Sequence, residues 1–589
     1  MKNLIYSIAL LFCASVIALA QNSVSTPVPS PTRIPVQLPD EPAPVAPKFE
    51  AVIRPLPSAD RIGVDVSNQL PISLQDAIKL ALQNNNDIDA SKIDVKIAEY
   101  GLQASQGVYD PNIVSENFYE RRTTPTASVI GGAVNGAVTQ STFNGGFGIN
   151  GFSRIGGGFY NFSFSSSRTN TSNSNATLNP QFPSALSFTY TQPLFRGRRL
   201  DVQRRNIAIA KKNLSLTDAQ FRQKAVEVIA QVEQAYWDLV FSLRNLQVQI
   251  DAVKQARLQL ESNQRLVSKG VLAPIETVAA NAQISTFEQS VYIAQETVTR
   301  AENNLKTLML PDRADNIWTR ALVPVSPIEL EVPRIPLEQA VKDALTNRQE
   351  IAQLQTNAEI NKINEKYFRD QTKPQIDLVT SYTTSGLAGT TTAASINPTT
   401  GQSRVPTNLV GGYFNSLGNL IQQDYPTVRV GLTISLPFGN HTAKANLGRT
   451  LAEGDRIKNS QAQTEQIIEA DVRNALQTLR SAEARLQAAA ATRAATEQLY
   501  DSEQRQFRAG TSTVFLVFQR QNDLITARGR ELQAQTDLNK AISTFQRATG
   551  TTLTANSVEI TKDVNTPDFI FRRPFEFGSR IFTAKKNED

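Results

Sequence analysis

The stretch SALSFTYTQPLFRGRRLDVQRRN, residues 184–206, alternates apolar and hydroxyl side chains up to Gln192, passes one proline, and restarts as a basic, helix-like segment. YPTVRVGLTISLPFGNHTAKANLGR, residues 425–449, repeats the strand, the proline and the polar restart. Proline cannot donate to a sheet ladder, keeps its predecessor extended, and is tolerated in a helix's first turn. Pro193 and Pro437 are therefore expected to end a strand and open a helix within a residue or two. Each strand has a greasy side, Leu186, Phe188 and Tyr190 in one and Val430, Leu432 and Ile434 in the other, opposed by Ser187, Thr189, Thr191, Arg429, Thr433 and Ser435. About 9 to 11 such residues cross a bilayer as a tilted strand, apolar side outward. Those six apolar residues are the expected lipid-facing set.

Working outward, the chain repeats itself. ISLQDAIKLALQNNNDI, ending at Ile88, matches IPLEQAVKDALTNRQEI, ending at Ile351, at a constant offset of 263, and the same offset links Pro111 to Pro374. Gly270 aligns with Gly510 at an offset of 240. Two copies of one unit thus fill residues 71–310 and 337–549, with strands in 112–193 and 374–437, a Pro-rich connector at 311–336 and a tail at 550–589. Pro111, Pro193, Pro374 and Pro437 mark the strand–helix junctions.

Neither Gly nor Pro occurs from Arg198 to Lys269, which as one helix would be about 108 Å long. Ala225, Ile229, Val232, Tyr236, Leu239, Leu243, Leu246, Ile250 and Val253 step by 4 and 3, and Ile468, Val472, Ala475, Leu479, Ala482, Leu486 and Ala489 do the same. A sustained seven-residue repeat buries a narrow seam against another helix. Segments Leu74–Asp110 and Ile275–Leu310 are each about half that length, so two short helices end to end match one long helix. The fold expected is a mixed α+β membrane protein, a duplicated unit of long coiled-coil helices plus amphipathic strands. Two strand pairs give four strands per chain, fewer than the roughly 8 that start a membrane barrel, so several chains must share one.

The N-terminus, MKNLIYSIALLFCASVIALAQ, has the basic start, apolar run and Ala18-Leu19-Ala20 site of an export signal, residues 1–20. Phe12 is too large for a lipoprotein signal at Cys13, the sole cysteine. Residues 21–70 begin as a Pro-rich, polyproline-like linker. Beyond the leader no apolar run is long enough for a transmembrane helix, so any membrane crossing falls to strands. An enzyme is not expected: the single histidine, His441, sits just past a strand end, no catalytic residue set stands out, and no cofactor or metal site is seen. A net charge of +6 over this length, on an exported chain, gives nucleic-acid binding little weight. A periplasmic coiled-coil adaptor or scaffold shares the heptads but has no use for amphipathic strands at the helix ends.

The TQPLFRG junction, the LxLxxAIxxALxNN start of each copy and the helical turn FRAGTSTVFLVFQRQNDL resemble TolC-type outer-membrane efflux proteins over roughly residues 70–550. The resemblance implies a homotrimer whose four strands per chain close a 12-stranded β-barrel, continuous with a 12-helix periplasmic α-barrel. It implies a channel in the outer membrane of a diderm bacterium, passing cargo from periplasm to exterior with a periplasmic adaptor and an inner-membrane pump or type I secretion transporter. The turns at Gly270 and Gly510 then lie at the periplasmic tip, where Arg265, Leu266, Ser268, Lys269, Arg505, Phe507 and Arg508 would meet an adaptor. Where the family often carries acids after the second tip glycine, this chain has Leu516 and Gln519 beside Phe515 and Phe518. The expected pore aperture is therefore apolar, built from Phe515, Leu516 and Phe518, with Glu276 the one aligned acid. The aromatics of FIFRRPFEFGSRIF, residues 569–582, read as a poorly ordered end.

Overall fold

Residues 60–127, 129–133, 135–328, 331–562 and 580–584 are described in the computed structural model. The expected export leader and most of the Pro-rich linker and aromatic tail lie outside the described residues. In chain order the elements are β1 (Asp65–Ile72), α1 (Leu74–Asn84), α2 (Asn86–Gln106), β2 (Asn112–Pro125), β3 (Ala137–Phe152), β4 (Phe159–Thr171), β5 (Leu178–Pro193), α3 (Val202–Ser268) and α4 (Ile275–Met309). Then follow β6 (Arg320–Pro324), α5 (Leu337–Asn347), α6 (Gln349–Gln371), β7 (Gln375–Thr391), α7 (Tyr413–Gln422), β8 (Tyr425–Ser435), α8 (His441–Arg508), α9 (Val514–Thr549), α10 (Thr552–Ala555), β9 (Val558–Lys562) and β10 (Arg580–Ala584).

The stepped residues are the seam. Ala225, Ile229, Val232, Tyr236, Leu239 and Val253 of α3 are buried, packed with Ala77, Ala81 and Ile88 of the first short stack and with Val291, Val298 and Leu305 of α4. Ile468, Val472, Leu479 and Ala482 of α8 form the equivalent cluster with Ala340, Ala344, Leu538, Ile542 and Phe545. The 67 residues of α3 span about 100 Å at 1.5 Å each. With its 35 residues α4 covers about half of that. Near the strands the helices lie side by side in the order α2–α3–α6–α8; toward the far end the order is α4–α3–α9–α8.

At mid-length the connector forms structure of its own. β6 pairs in parallel with β1, Leu70 opposite Leu322 and Ile72 opposite Pro324. Tyr236, wholly buried, donates its hydroxyl to the Ile72 carbonyl (3.2 Å) and accepts from the Ser326 N–H (3.1 Å), tying α3 to both strands. Lys306, also wholly buried, donates to Glu302 (2.8 Å) and to the carbonyls of Trp318 and Arg320, while Arg61 completes the ion cluster on Glu302. Lone buried charges are costly, and this one is fully paired and hydrogen-bonded.

The strand count differs from expectation. One antiparallel sheet holds six strands, in the order β2-β3-β4-β5-β7-β8, so residues 112–193 give four strands and not two. Each chain thus has a six-stranded sheet where four strands were expected. Gly145, Gly146, Gly148 and Gly151 hide β3, because a glycine carries no side chain to mark the alternation. Gly146 is required sterically: a Cβ there would meet the Phe164 carbonyl oxygen at 2.9 Å.

Helix boundaries also differ. The stretch Leu74–Asp110 breaks at Asn85, whose side chain caps α2 by accepting from the N–H groups of Asp87 and Ile88, and its repeat breaks at Arg348. α8 begins at His441 and runs through Gly448 and Gly454. At Gly454 the missing Cβ admits Asn361 of α6, whose Nδ2 lies 2.7 Å from where it would stand. The junctions are not immediate. After Pro193, Gly197 turns with φ +81 and Asp201 caps α3 by accepting from the Arg204 N–H at 2.7 Å. Pro437 lies beyond β8, with Asn440 in left-handed conformation before α8. In the tail, β10 pairs antiparallel with β9, Phe582 opposite Ile560.

Candidate functional site

Directly opposed residues in a sheet share a face, so the pairing register sorts the wall. Tyr190 opposes Thr380, which opposes Val430; Phe188, Tyr382 and Val428 form the next row. Leu186, Phe188, Tyr190, Val430, Leu432 and Ile434 therefore lie on one face, joined by Ile113, Ile149, Phe147, Phe162 and Phe164 through the rows of β2–β5. The rings of Phe147 and Phe164 touch at 5.4 Å. Opposite them stands a polar face that includes Glu116, Glu120 and Arg122 of β2, Ser187 and Thr189 of β5, Asp377 of β7, and Arg429 and Thr433 of β8. Ser187 and Thr383 hydrogen-bond across it at 2.9 Å.

Towards the end of the sheet away from the junction prolines, the apolar face becomes small and polar, and α7 lies on it. Ser416 of α7 bonds Ser184 (2.7 Å), Asn419 donates to the Leu387 carbonyl (2.9 Å), and a Cβ on Gly386 would stand 2.1 Å from the Ser416 carbonyl oxygen. This helix buries Ser416, Asn419 and Leu420 and turns Phe414 and Ile421 outward. Its pattern is inverted, polar in and apolar out, so sequence reasoning missed it.

At the far end, α3–α4 and α8–α9 form two helical hairpins. Gly270 and Gly510 have φ of +70 and +79, and each turn is closed by a backbone bond five residues back, Val271 to Leu266 and Thr511 to Gln506. Open space surrounds both glycines, so it is the left-handed backbone that favours glycine there. Arg265, Ser268, Lys269, Arg505 and Arg508 are exposed at the tip, while Leu266 is half-buried. Phe507 is half-buried against a small core of Ala280, Val514 and Phe518, and this core holds the hairpins together.

The expected aperture is corrected in one respect. Phe518 is 8% exposed and belongs to that core, so it does not line an opening. Three residues on from Phe515 in a helix, it falls on the inward flank, as Val514 and Val517 do. Phe515 (72% exposed), Leu516 and Gln519 remain on the surface of α9, and Glu276 is half-buried at the start of α4.

A two-faced strand sheet thus runs through short junctions into two long helical hairpins. Residues 160–309 and 340–551 match the outer membrane efflux protein family, and the chain belongs to it. Its place is accordingly the outer membrane, with the helical body extending into the periplasm. Solved structures share the fold. The Campylobacter jejuni CmeC outer membrane channel has a TM-score of 0.57 at 15% identity, over 81% of this chain and 85% of that one. The open-state Neisseria gonorrhoeae MtrE outer membrane channel scores 0.55 at 17% identity, over 82% and 89%. The Vibrio cholerae outer membrane protein VceC scores 0.54 at 14% identity, over 81% and 96%. No curated protein sequence matches.

Proposed function

We propose that this chain is the outer-membrane conduit of a tripartite efflux or type I secretion system, a passive passage from periplasm to exterior. Three copies share one wall, the apolar face of the sheet meets lipid, and the tips around Gly270 and Gly510 receive a periplasmic adaptor beneath an inner-membrane transporter. The observation that carries this reading is a sheet open at both edges. β2 is exposed at every position and β8 at all but Gly431. A spanning sheet cannot leave such edges in hydrocarbon, since every backbone N–H and C=O there needs a partner.

The flanking helices support self-association as well. Beside β2, α2 presents Ile93, Ile97 and Tyr100, a stripe spaced four and three residues apart and more than half exposed. On the β8 side, α8 presents Leu451 and Ile467. Each stripe lies on the same flank as one open edge, so one copy's α2 side meets the next copy's α8 side.

Native mass measurement of the detergent-solubilised outer-membrane protein, with planar-bilayer recording, tests the reading. Three copies with stable open-channel conductance are expected. A soluble periplasmic monomer without conductance would instead make the chain a coiled-coil scaffold. For the aperture, Leu516→Asp is expected to raise cation preference; no change in selectivity would move the constriction away from α9.

A further inference from the structure

We infer that the shared wall is an eighteen-stranded β-barrel, closed by β8 of one copy pairing with β2 of the next. This rests on the three-copy reading above. Six strands per chain, each antiparallel to its neighbour, leave β2 and β8 as the open edges and antiparallel to each other in sense, so copies join without breaking the alternation.

The alternative is a twelve-stranded barrel of β4, β5, β7 and β8, with β2 and β3 lying outside the wall. Three observations speak against it. β3 is paired along most of its length on both sides, with β2 from Asn112–Asn150 to Pro125–Ala137 and with β4 from Gln140–Thr171 to Phe152–Phe159. β4 therefore has no free edge to offer another copy.

Secondly, the turn between β3 and β4 is built into the junction. The Gln192 side chain donates to the Gly156 carbonyl at 2.9 Å, and Arg154 stacks over the Tyr109 ring at 5.7 Å. Gly157, with φ +71, fits against Asp201, the cap of α3: a Cβ there would stand 2.3 Å from its carboxylate oxygen. A detachable flap would not share residues with a helix cap.

Thirdly, the widths agree. Strands about 4.8 Å apart and tilted by about 40° each occupy about 6.3 Å of circumference, so six occupy about 38 Å and four only about 25 Å. The four helices that lie side by side near the sheet occupy about 32 to 40 Å at interaxial distances of 8 to 10 Å. With six strands, sheet and helices of one chain cover the same arc at this tilt, whereas four strands would need a tilt above about 50° to do so. The resulting barrel is about 36 Å across between backbones, in the range where 16–18-stranded barrels leave an open aqueous channel.

Disulfide trapping in the full-length protein decides between the closures, since Cys13 of the leader is the sole native cysteine. Ile113→Cys or Asn117→Cys in β2 is combined in turn with Val428→Cys, Val430→Cys, Leu432→Cys or Ile434→Cys in β8. All of these positions lie on the apolar face. After oxidation in membranes, at least one combination is expected to give covalent dimers and trimers on non-reducing gels. Phe162→Cys in β4 with the same β8 set is expected to give none. Ile149→Cys with Phe162→Cys, opposed within one chain, reports correct folding by closing without a mass change. Cross-links from β4 to β8, or none from β2 in a folded protein, would overturn the eighteen-stranded closure. Native mass separates this from the tunnel reading: three copies with β4 links leave the tunnel standing, whereas two copies with β2 links refute the count of eighteen.

Discussion

Glu233 sits on α3 one turn from Tyr236 and is 3% exposed, taking hydrogen bonds from Ser543 of α9 and from Asn556 (2.9 Å). Burial pushes its carboxyl above the ordinary carboxylate range, although the bonds from Ser543 and Asn556 pull the other way. The unfolded chain has the ordinary value, so between the two values the folded protein holds more protons. Stability contributed by this site is complete below the ordinary carboxylate range and is lost as pH rises through the raised value. Glu233→Gln keeps the shape and removes the titration. Its thermal midpoint is expected to exceed that of the parent at pH 8 and to converge with it near pH 4; a gap of equal size at both would refute the assignment. Tyr236→Phe leaves the Ser326 N–H without its partner, while the Ile72 carbonyl keeps the bond from the Val325 N–H (3.0 Å). Chemical denaturation should show a loss of about 1 to 3 kcal/mol, the usual cost of orphaning buried polar groups. Neither residue's polar role was legible in the sequence, where Tyr236 reads as one more apolar step and Glu233 as a solvated charge.

Among the elements, β8 gives the sharpest contrast, because Leu432 and Thr433 are adjacent yet face opposite sides. Leu432→Arg should cost about 2 to 4 kcal/mol near the membrane midplane, whereas Thr433→Arg should be tolerated. Yield of assembled protein in outer membranes measures the difference, and equal yields would reverse the faces. Clean alternation made β8 readable, just as steps of four and three made the seam of α3 readable. Elements whose side chains do not mark a period were not. β3 spends its glycines on close strand approach, α7 buries serine and asparagine against glycine, and β1 with β6 is too short to show a period. Phe518 was misplaced for a related reason: its face depends on where α9 begins, and Thr513, accepting from the Leu516 N–H, sets that start. The glycines at 270 and 510 were legible because a left-handed backbone turn selects that residue type, whereas Pro193 and Pro437 marked the strand ends but not the helix starts.

For the whole molecule, the exposed stripe of Ile93, Ile97 and Tyr100 is the helical flank that the proposed assembly would bury against a partner copy. Replacing Ile93 and Ile97 together by Glu removes burial worth about 1.5 to 3 kcal/mol per side chain at each contact and adds charge. Size-exclusion with light scattering should show trimers giving way to monomers; trimers that persist unchanged would place this flank elsewhere. The paired strands β1 and β6, fastened to α3 through Tyr236, have a mechanical consequence. Below that fastening the chain from Tyr236 to Ser268 projects about 48 Å, held to its neighbours chiefly along the seams and at the small tip core around Phe518. Each hairpin is thus a cantilever clamped at the collar. Leverage converts a rotation of about 5° there into about 4 Å of travel at Gly270 for an arm of that length. In the proposed three-copy assembly, travel of that size at each turn would alter the width of the periplasmic mouth.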